Sequence, residues 1–295
     1  MSILQAARPR QWVKNLLLYA GFLFTLGRVP VGPAFVRSTI GALLFCCLSA
    51  SAYLVNDVRD VESDRRHPEK RYRPIAAGRL SPRTAICAAL ILAAAGLAGS
   101  FALSMEFGAL AAAYLAVTLA YSFALKHVVL LDVMALAAGY VIRALAGAAA
   151  VPVPASFFLA LCTLLLALFL GLCKRRAELT AAEHDPTASR AILGEYSPAL
   201  LDQMISVVTS SALLAYALYT YFTPTAQKPG PEWRFHAHLL TATIPFVVYG
   251  IYRYLYLVYQ QGLGESPEAI FLKDRPLQWN TLLWAAACVA AVLMR

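Results

Sequence analysis

The sequence has 295 residues, of which 60% are hydrophobic and only 14% are charged, whereas a soluble domain has about 25% charged residues. This composition excludes an ordinary soluble domain and predicts an all-α polytopic membrane protein, since apolar runs of roughly 20 residues cross the bilayer core as helices. The net charge of +9 is explained by basic cytoplasmic loops near anionic headgroups, so we predict a lipid-bilayer partner and no nucleic acid.

Nine apolar segments predict nine transmembrane helices, which form a single helical domain over residues 1–295. In chain order the segments cover residues 12–28, 35–56, 84–104, 108–125, 128–149, 156–173, 202–222, 237–259 and 277–294. Loops rich in Pro, Gly or charge separate them. Arg8, Arg10 and Lys14 precede the apolar run of the first segment, but no small-residue cleavage site follows that run, so the segment is interpreted as a retained span.

The distribution of cations predicts the orientation of these spans. With the N-terminus in the cytoplasm, most of the 25 Lys and Arg residues lie on the cytoplasmic side. The outer side then carries only Arg28, Arg37, Lys228, Arg234 and Arg295. The positive-inside rule therefore predicts a cytoplasmic N-terminus and an outer C-terminus, in a bacterial inner (cytoplasmic) membrane. Most acids fall on the cytoplasmic side too, and the rule does not explain them.

Both signs of charge are concentrated directly after the second predicted helix, in the stretch NDVRDVESDRRHPEKRYRPIAAG (Asn56–Gly78). Asp57, Asp60 and Asp64 follow one another at i, i+3 and i+7, so a continued helix places them on one face. Such stacked carboxylates repel one another and require positive compensation. One source is ordinary solvated ion pairing with Arg59, Arg65 and Arg66.

The alternative source of positive charge is a hard divalent cation. Mg²⁺ prefers oxygen ligands and typically binds one or two carboxylates together with substrate phosphates. The predicted metal ligands are Asn56, Asp57, Asp60 and Asp64. Nearby cations would then bind the phosphates of a polyphosphate substrate. This hypothesis explains why acids and cations occur together at one membrane surface.

The pattern Asn56-Asp57-x-x-Asp60-x-x-x-Asp64 resembles the first Asp-rich motif of the UbiA-type intramembrane prenyltransferase superfamily. The resemblance covers nearly the whole chain. It implies a nine-helix bundle with a cytoplasmic active site that binds a diphosphate through Mg²⁺, with the three aspartates as catalytic residues. The segments that resemble the decaprenyl-phosphate phosphoribosyltransferase branch are Arg8–Asn15, Asn56–Gly78, Tyr121–His127, Lys174–Leu179 and Ile192–Pro198.

That branch implies transfer of 5-phosphoribose from phosphoribosyl diphosphate to a polyprenyl phosphate. Prenyl-transferring members carry a second Asp-rich motif after the sixth helix, where this chain has CKRRAELTAAEHDPTASR. Glu183 and Asp185 are the acids that could substitute for it. The predicted substrate-binding residues are Lys14, Lys70, Arg71, Arg73, Tyr121, Lys126, Lys174, Arg175, Glu178 and Arg190. For Lys126 and Lys14, anchoring of a helix end is the alternative role.

Two charges lie within the fifth predicted helix. Asp132 and Arg143 are about 16 Å apart at 1.5 Å per residue, which is too far for a direct pair. Asp132 is predicted to form a wall of the active site. Arg143 is predicted to be structural, with Glu106 as its partner. The loop Gly264–Pro276 on the active side is either a lid or a connector.

Two other functions are compatible with parts of the sequence. A prenyltransferase that joins a prenyl diphosphate to an aromatic or other acceptor would use the same first motif and fold. A transporter or lipid flippase would place its charges near the midplane, and here they lie at one face. The sequence leaves the oligomeric state open, so a homo-oligomer is compatible with it.

Overall fold

The computed structural model describes residues 2–25, 29–151, 156–184, 191–222, 239–264 and 267–293. Every regular element in these ranges is helical, so the all-α prediction is confirmed. The helices are α1 (Ser2–Ala6), α2 (Tyr19–Thr25), α3 (Val31–Arg59), α4 (Val61–Arg66), α5 (Pro82–Leu103), α6 (Met105–Phe123), α7 (Leu131–Ala150), α8 (Phe157–His184), α9 (Pro198–Phe222), α10 (Ile244–Gln261), α11 (Pro267–Lys273) and α12 (Arg275–Leu293). Short 3₁₀ helices cover Pro9–Leu18, Lys70–Tyr72, Leu125–His127, Ala191–Glu195 and Leu239–Thr243.

Six helices of the described residues are long and apolar enough to cross a bilayer. These are α3, α5, α6, α7, α8 over Phe157–Ala181, and α9. Each coincides with one of the nine predicted spans. The other three predicted spans correspond to Pro9–Leu18 with α2, to α10 and to α12. The number nine therefore stays a prediction.

Helices that follow one another in the chain pack side by side, and α7 lies at the centre of the bundle. It contacts α2, α3, α6, α8 and the 3₁₀ helix Pro9–Leu18. Two glycines allow the backbones to touch there. A Cβ at Gly147 would collide with the carbonyl oxygen of Leu18, and one at Gly21 would collide with the carbonyl oxygen of Gly147. The N-terminal segment is therefore seated directly on α7.

A small apolar cluster fixes the charged loop between α4 and α5. Ile75 and Leu80 of the loop are buried against α1, α3 and α5, through Ala6, Leu54 and Ala85. Burying one such side chain contributes about 1.5–3 kcal/mol. Ser81 then begins α5 as its N-cap, because its Oγ accepts a 3.1 Å hydrogen bond from the Thr84 N–H. The loop thus has a defined path beneath its charges.

Arg143 is buried in the middle of α7. The prediction that Glu106 is its partner is wrong, because other groups bind the guanidinium. Its Nε donates to Asn15 Oδ1 at 2.9 Å, and its Nη2 donates to the Tyr114 hydroxyl at 2.7 Å. Its Nη1 donates to the Gly139 carbonyl at 3.2 Å, and the guanidinium lies 4.6 Å from the Tyr114 ring centroid. Neutral acceptors and an aromatic face therefore satisfy this charge. The contact with Asn15 ties Pro9–Leu18 to the bundle.

Candidate active site

The three motif aspartates lie where α3 passes into α4. Asp57 is in the last turn of α3, Asp60 stands between the two helices, and Asp64 is in α4. The Asp60 N–H donates to Asn56 O at 2.9 Å, and the Asp64 N–H donates to Asp60 O at 2.8 Å. Helical hydrogen bonds therefore continue through the junction, and the predicted i, i+3, i+7 spacing brings the acids to one region.

Asp57 and Asp64 are buried and share one arginine. Nη1 of Arg73 donates to Asp64 Oδ2 at 2.7 Å and to Asp57 Oδ1 at 3.3 Å. Arg8 forms a second ion pair with Asp57 Oδ1, and its guanidinium lies 5.0 Å from the Tyr53 ring centroid. Because both carboxylates reach the same nitrogen, they converge on one cationic position.

Asp60 faces a different cation. Its two carboxylate oxygens accept hydrogen bonds from Lys126 Nζ at 2.7 Å and 2.8 Å. Lys126 belongs to the 3₁₀ turn that follows α6, so this pair joins α3 to the end of α6. A helix-end anchor that only reached toward headgroups would not be held at an acid in this way.

The cations nearest to the aspartates in sequence do not pair with them. Arg59 donates to the Ser122 carbonyl, Arg65 pairs with Glu62 at 2.9 Å, and Arg66 donates to the Glu62 carbonyl at 3.3 Å. Local solvated pairing with these three arginines was the simpler explanation of the charged stretch. The compensating charges instead come from Arg73, later in the same stretch, and from the distant Arg8 and Lys126.

His67 shapes the turn that delivers Lys70–Arg73 to the aspartates. Its Nδ1 accepts hydrogen bonds from the backbone N–H groups of Glu69 at 3.2 Å and Lys70 at 3.4 Å. Partial burial, together with the Lys70 charge, lowers the pKa of His67 below its ordinary value. The ring is therefore neutral at neutral pH and keeps a nitrogen that can accept.

A second charged group lies between α7, α8 and the segment after Glu195. Arg175 Nε donates to Asp132 Oδ2 at 2.6 Å, and Nη1 of Arg175 forms an ion pair with Glu178. The Tyr196 hydroxyl donates to Asp132 Oδ1 at 2.8 Å. Burial and the Asp132 carboxylate raise the pKa of Tyr196 to about 12, so the phenol remains a donor. Asp132 is thus enclosed by these partners, and its place in a wall of the active site stays a prediction.

Arg175 and Lys174 differ sharply in exposure, although both were predicted to bind substrate. Only 1% of the Arg175 side chain is exposed, against 33% for Lys174. Lys174 lies 3.9 Å from Glu178. Lys174 is therefore accessible to a ligand, whereas Arg175 is enclosed by the carboxylates with which it pairs.

The remaining predicted residues have the following positions. Lys14, Lys70 and Tyr121 are half-buried and have interaction partners. Arg71 is exposed and donates to the Tyr72 hydroxyl at 2.8 Å. Asp185, Arg190 and the side chain of Glu183 lie outside the described residues. Sequence reasoning missed Arg8 and Tyr196, although both occur in segments that carried the resemblance.

The residues around Asp57 fit a magnesium ion that completes its shell with substrate. Among the described residues, no three His, Cys, Asp or Glu side chains form a metal site by themselves. Asp57 and Asp64 do converge, on the position now held by the cationic Arg73 nitrogen. Two carboxylates plus substrate phosphates is a usual arrangement for Mg²⁺. Asn56 directly precedes Asp57 in α3, and Asp60 is turned toward Lys126.

Comparison with known proteins agrees with this geometry. Residues 16–254 match the model of the UbiA prenyltransferase family. The chain belongs to this family. The decaprenyl-phosphate phosphoribosyltransferase of Mycobacterium tuberculosis is 36% identical over 293 residues, which cover 98% of this chain and 94% of the relative. The enzyme of the same name from Corynebacterium glutamicum is 34% identical over 295 residues, with 98% and 86% covered.

A solved structure supports the UbiA fold across the full length. The UbiA homolog from Archaeoglobus fulgidus bound to DMAPP and Mg²⁺ superposes with a TM-score of 0.73, at 18% identity and with 100% of both chains covered. The predicted resemblance is thereby confirmed, and the protein is an integral membrane transferase of the UbiA family. The candidate site has two charged halves, one around Asp57 and Asp64 and one around Lys174 and Arg175.

Proposed function

We propose that this UbiA enzyme transfers 5-phosphoribose from phosphoribosyl diphosphate to a decaprenyl-type polyprenyl phosphate and releases diphosphate. The observation that carries the proposal is the composition of the second half of the site. A prenyl-transferring member is expected to have a second metal-binding aspartate motif there. This chain has Lys174 beside an Arg175 that already neutralises Asp132 and Glu178. That half suits a lipid monophosphate better than a second metal–diphosphate.

The similarity to the two named relatives supports the same conclusion. They carry the name decaprenyl-phosphate phosphoribosyltransferase, and their identity of 34–36% extends over nearly the whole chain. The first half of the site would take the diphosphate of the donor. Asp57 and Asp64, with Asn56 and Asp60, would hold Mg²⁺, which neutralises the charge that develops on departing diphosphate. Arg73 reaches both carboxylates, so it is placed to donate to phosphate oxygens bound between them.

The chemistry needs little beyond binding and charge. An oxygen of the lipid phosphate attacks the anomeric carbon of the ribose while the bond from that carbon to diphosphate breaks. A phosphate monoester is already anionic near neutral pH, so no strong general base is required. The ribose acquires oxocarbenium character, as in other glycosyl transfers. In-line attack inverts the anomeric centre. Lys126, Lys70 and Lys174 provide cations for the phosphates of the two substrates.

The membrane arrangement belongs to the same proposal. Nine spans place the N-terminus and the charged loops in the cytoplasm, where phosphoribosyl diphosphate is soluble. The outer side receives the C-terminus. The polyprenyl tail then lies in the apolar bundle while its phosphate meets Lys174 at the surface of the membrane.

The decisive experiment is an assay of two reactions on the purified protein. Phosphoribosyl diphosphate with a labelled ribose is incubated with polyprenyl phosphate and Mg²⁺, and the lipid phase is analysed for label. In parallel, a prenyl diphosphate is offered with an aromatic acceptor. We expect label in the lipid phase of the first reaction and no prenylated acceptor in the second. Prenyl transfer without phosphoribosyl transfer would reject the proposal and establish a prenyltransferase.

Substitution of Lys174 tests the role of the second half. A charge-assisted hydrogen bond contributes about 1.5–3 kcal/mol. Lys174→Ala should therefore raise the half-saturating concentration of polyprenyl phosphate by roughly one to two orders of magnitude. The Mg²⁺ requirement should be unchanged, because that site is on α3 and α4. Arg83→Ala, at an exposed position in the first turn of α5, serves as the matched loss of a cation.

A further inference from the structure

A short turn connects α6 to α7 and carries Lys126, the cation that binds Asp60. The turn covers residues 124–130, between the end of α6 at Phe123 and the start of α7 at Leu131. Lys126 Nζ lies 2.7 Å and 2.8 Å from the two Asp60 oxygens, and only 13% of the lysine side chain is exposed. The position of this cation in the first half of the site therefore depends on the path of the turn.

The turn ends at a residue with a strained backbone, Leu130. Its φ of 67° and ψ of −42° form a combination that a bulky residue rarely adopts. Such a conformation persists only where the surrounding structure holds it. The carbonyl of Leu130 accepts the Met134 N–H at 2.9 Å, in the first turn of α7. The N–H of Leu130 precedes the helix, so its acceptor has to come from another segment.

The Tyr196 hydroxyl is that acceptor. It lies 2.8 Å from the Leu130 nitrogen, and it donates its own proton to Asp132 Oδ1 at 2.8 Å. A phenol has a single proton, so the bond to Asp132 leaves the phenol oxygen as the acceptor for Leu130. Asp132 is held in turn by Arg175 at 2.6 Å. The buried charged group therefore orients the hydroxyl that holds the end of the turn.

Apolar packing places the Tyr196 ring against the same turn. Tyr196 is 4% exposed and belongs to a buried cluster with Ile192, and Val129 of the turn packs against this cluster. The 3₁₀ helices Leu125–His127 and Ala191–Glu195 also contact each other. The segment before α9 is therefore a support for the turn between α6 and α7, through both packing and a hydrogen bond.

We infer that Tyr196 is a positioning residue for the donor diphosphate. Its hydroxyl holds Leu130 in the strained conformation, and this fixes a turn in which Lys126 lies four residues earlier. Without the hydroxyl, Leu130 relaxes toward an ordinary backbone conformation and Lys126 loses its fixed place at Asp60. Tyr196 thus acts through Lys126 and not on the substrate. This role rests on the proposed function for one point, namely that the first half of the site binds a diphosphate.

Binding of inorganic diphosphate tests this role, because phosphoribosyl and prenyl donors both carry that group. The full-length protein in detergent and Mg²⁺ is titrated with diphosphate by calorimetry. Tyr196→Phe keeps the ring and removes only the hydroxyl, so it should weaken binding about three- to tenfold. In a Lys126→Met background the same substitution should change the affinity by less than about twofold, because its effect passes through Lys126.

Hydrogen–deuterium exchange reports on the turn itself, without any ligand. In Tyr196→Phe the peptide that contains Leu130 should exchange several-fold faster than in wild type, because the Leu130 N–H has lost its acceptor. Exchange along α9 should be unchanged. Equal exchange of the turn in both proteins would show that the hydroxyl does not hold it, and the positioning role would be rejected.

Tyr216→Phe is the matched control. The Tyr216 hydroxyl also has two partners, the Thr243 hydroxyl at 2.6 Å and the Trp284 indole N–H at 2.8 Å. It lies about 27 Å along α9 from Pro198, far from the turn. This variant should therefore leave the diphosphate affinity and the exchange of residues 124–130 unchanged. A loss of affinity that came only from general destabilisation would appear here too.

The contrary outcomes are defined by the same variants. Equal weakening by Tyr196→Phe with and without Lys126, unchanged affinity in Tyr196→Phe, or the same weakening in Tyr216→Phe would overturn the inference. Absence of diphosphate binding by wild type would also overturn it. The transfer assay is read separately. If the affinities behave as expected but no phosphoribose enters the lipid phase, the proposed function fails and the positioning role of Tyr196 stands.

Discussion

Replacing Arg175 distinguishes a buried structural cation from a ligand of the substrate. Its guanidinium is 1% exposed and lies 2.6 Å from Asp132, whose side chain is 0% exposed. Removing one partner of such a pair costs about 3–5 kcal/mol, because the other charge stays buried. Arg175→Met should therefore lower the free energy of unfolding by about that amount. Asp132→Asn should cost less, about 1.5–3 kcal/mol, because Glu178 still compensates the arginine.

The double variant Arg175→Met/Asp132→Asn should be more stable than the sum of the single losses predicts, by at least ~1 kcal/mol. Unfolding of the purified protein in mixed micelles with a denaturing detergent, followed by circular dichroism, measures the cycle. The half-saturating concentration of polyprenyl phosphate for the double variant should stay within about twofold of the wild-type value, since a buried guanidinium does not meet the substrate. Additive losses would refute the coupling. A stable double variant with tenfold weaker acceptor binding would show that Arg175 is itself a phosphate ligand.

Three further predictions concern the first half of the site and the topology. Lys126→Met removes the partner of both Asp60 oxygens and should lower kcat/KM for phosphoribosyl diphosphate by roughly 10–100-fold, whereas Lys126→Arg should retain most of it. Asp64→Asn should nearly abolish turnover while the protein still folds. Chelation of Mg²⁺ should also abolish turnover, and added Mg²⁺ should restore it. Full activity in excess chelator would contradict the metal assignment. A single cysteine at position 62, where the wild-type Glu62 side chain is exposed, should react with an impermeant thiol reagent only from the cytoplasmic side, and one at Gln227 only from outside, so labelling of position 62 from outside would reverse the orientation.

The sequence predicted helices well, because each apolar run must bury its backbone polar groups within itself. It also predicted the region of the acids, since helical spacing alone brings Asp57 and Asp64 together. It did not predict which cations meet them. Arg8 reaches Asp57 across 49 residues, and Lys126 reaches Asp60 across 66. Those contacts depend on which helices are neighbours, and hydropathy does not specify neighbours.

The error at Arg143 has a separate physical cause. Sequence reasoning sought a carboxylate for a buried cation and chose Glu106. The folded chain satisfies Arg143 with an amide oxygen, a carbonyl, a phenol and an aromatic face instead. The amide belongs to Asn15, which is 128 residues away. Neutral acceptors of this kind carry no sequence signal, whereas opposite charges do.

The mixture of charges in the first half predicts that Mg²⁺ and the donor bind together. Without substrate, Asp57 and Asp64 are compensated by Arg73, so Mg²⁺ alone must compete with an arginine for the same oxygens. We expect a bound diphosphate to draw Arg73 toward its own oxygens and to free the carboxylates for the metal. Isothermal titration should therefore show that Mg²⁺ binds at least tenfold more tightly with phosphoribosyl diphosphate than without it, and by reciprocity the donor gains the same factor from Mg²⁺. Arg73→Gln should bind Mg²⁺ alone more tightly than wild type does, yet bind the donor more weakly. Equal Mg²⁺ affinity with and without donor would show that the carboxylates are available to the metal from the start, and the exchange of partners at Arg73 would then play no part in binding.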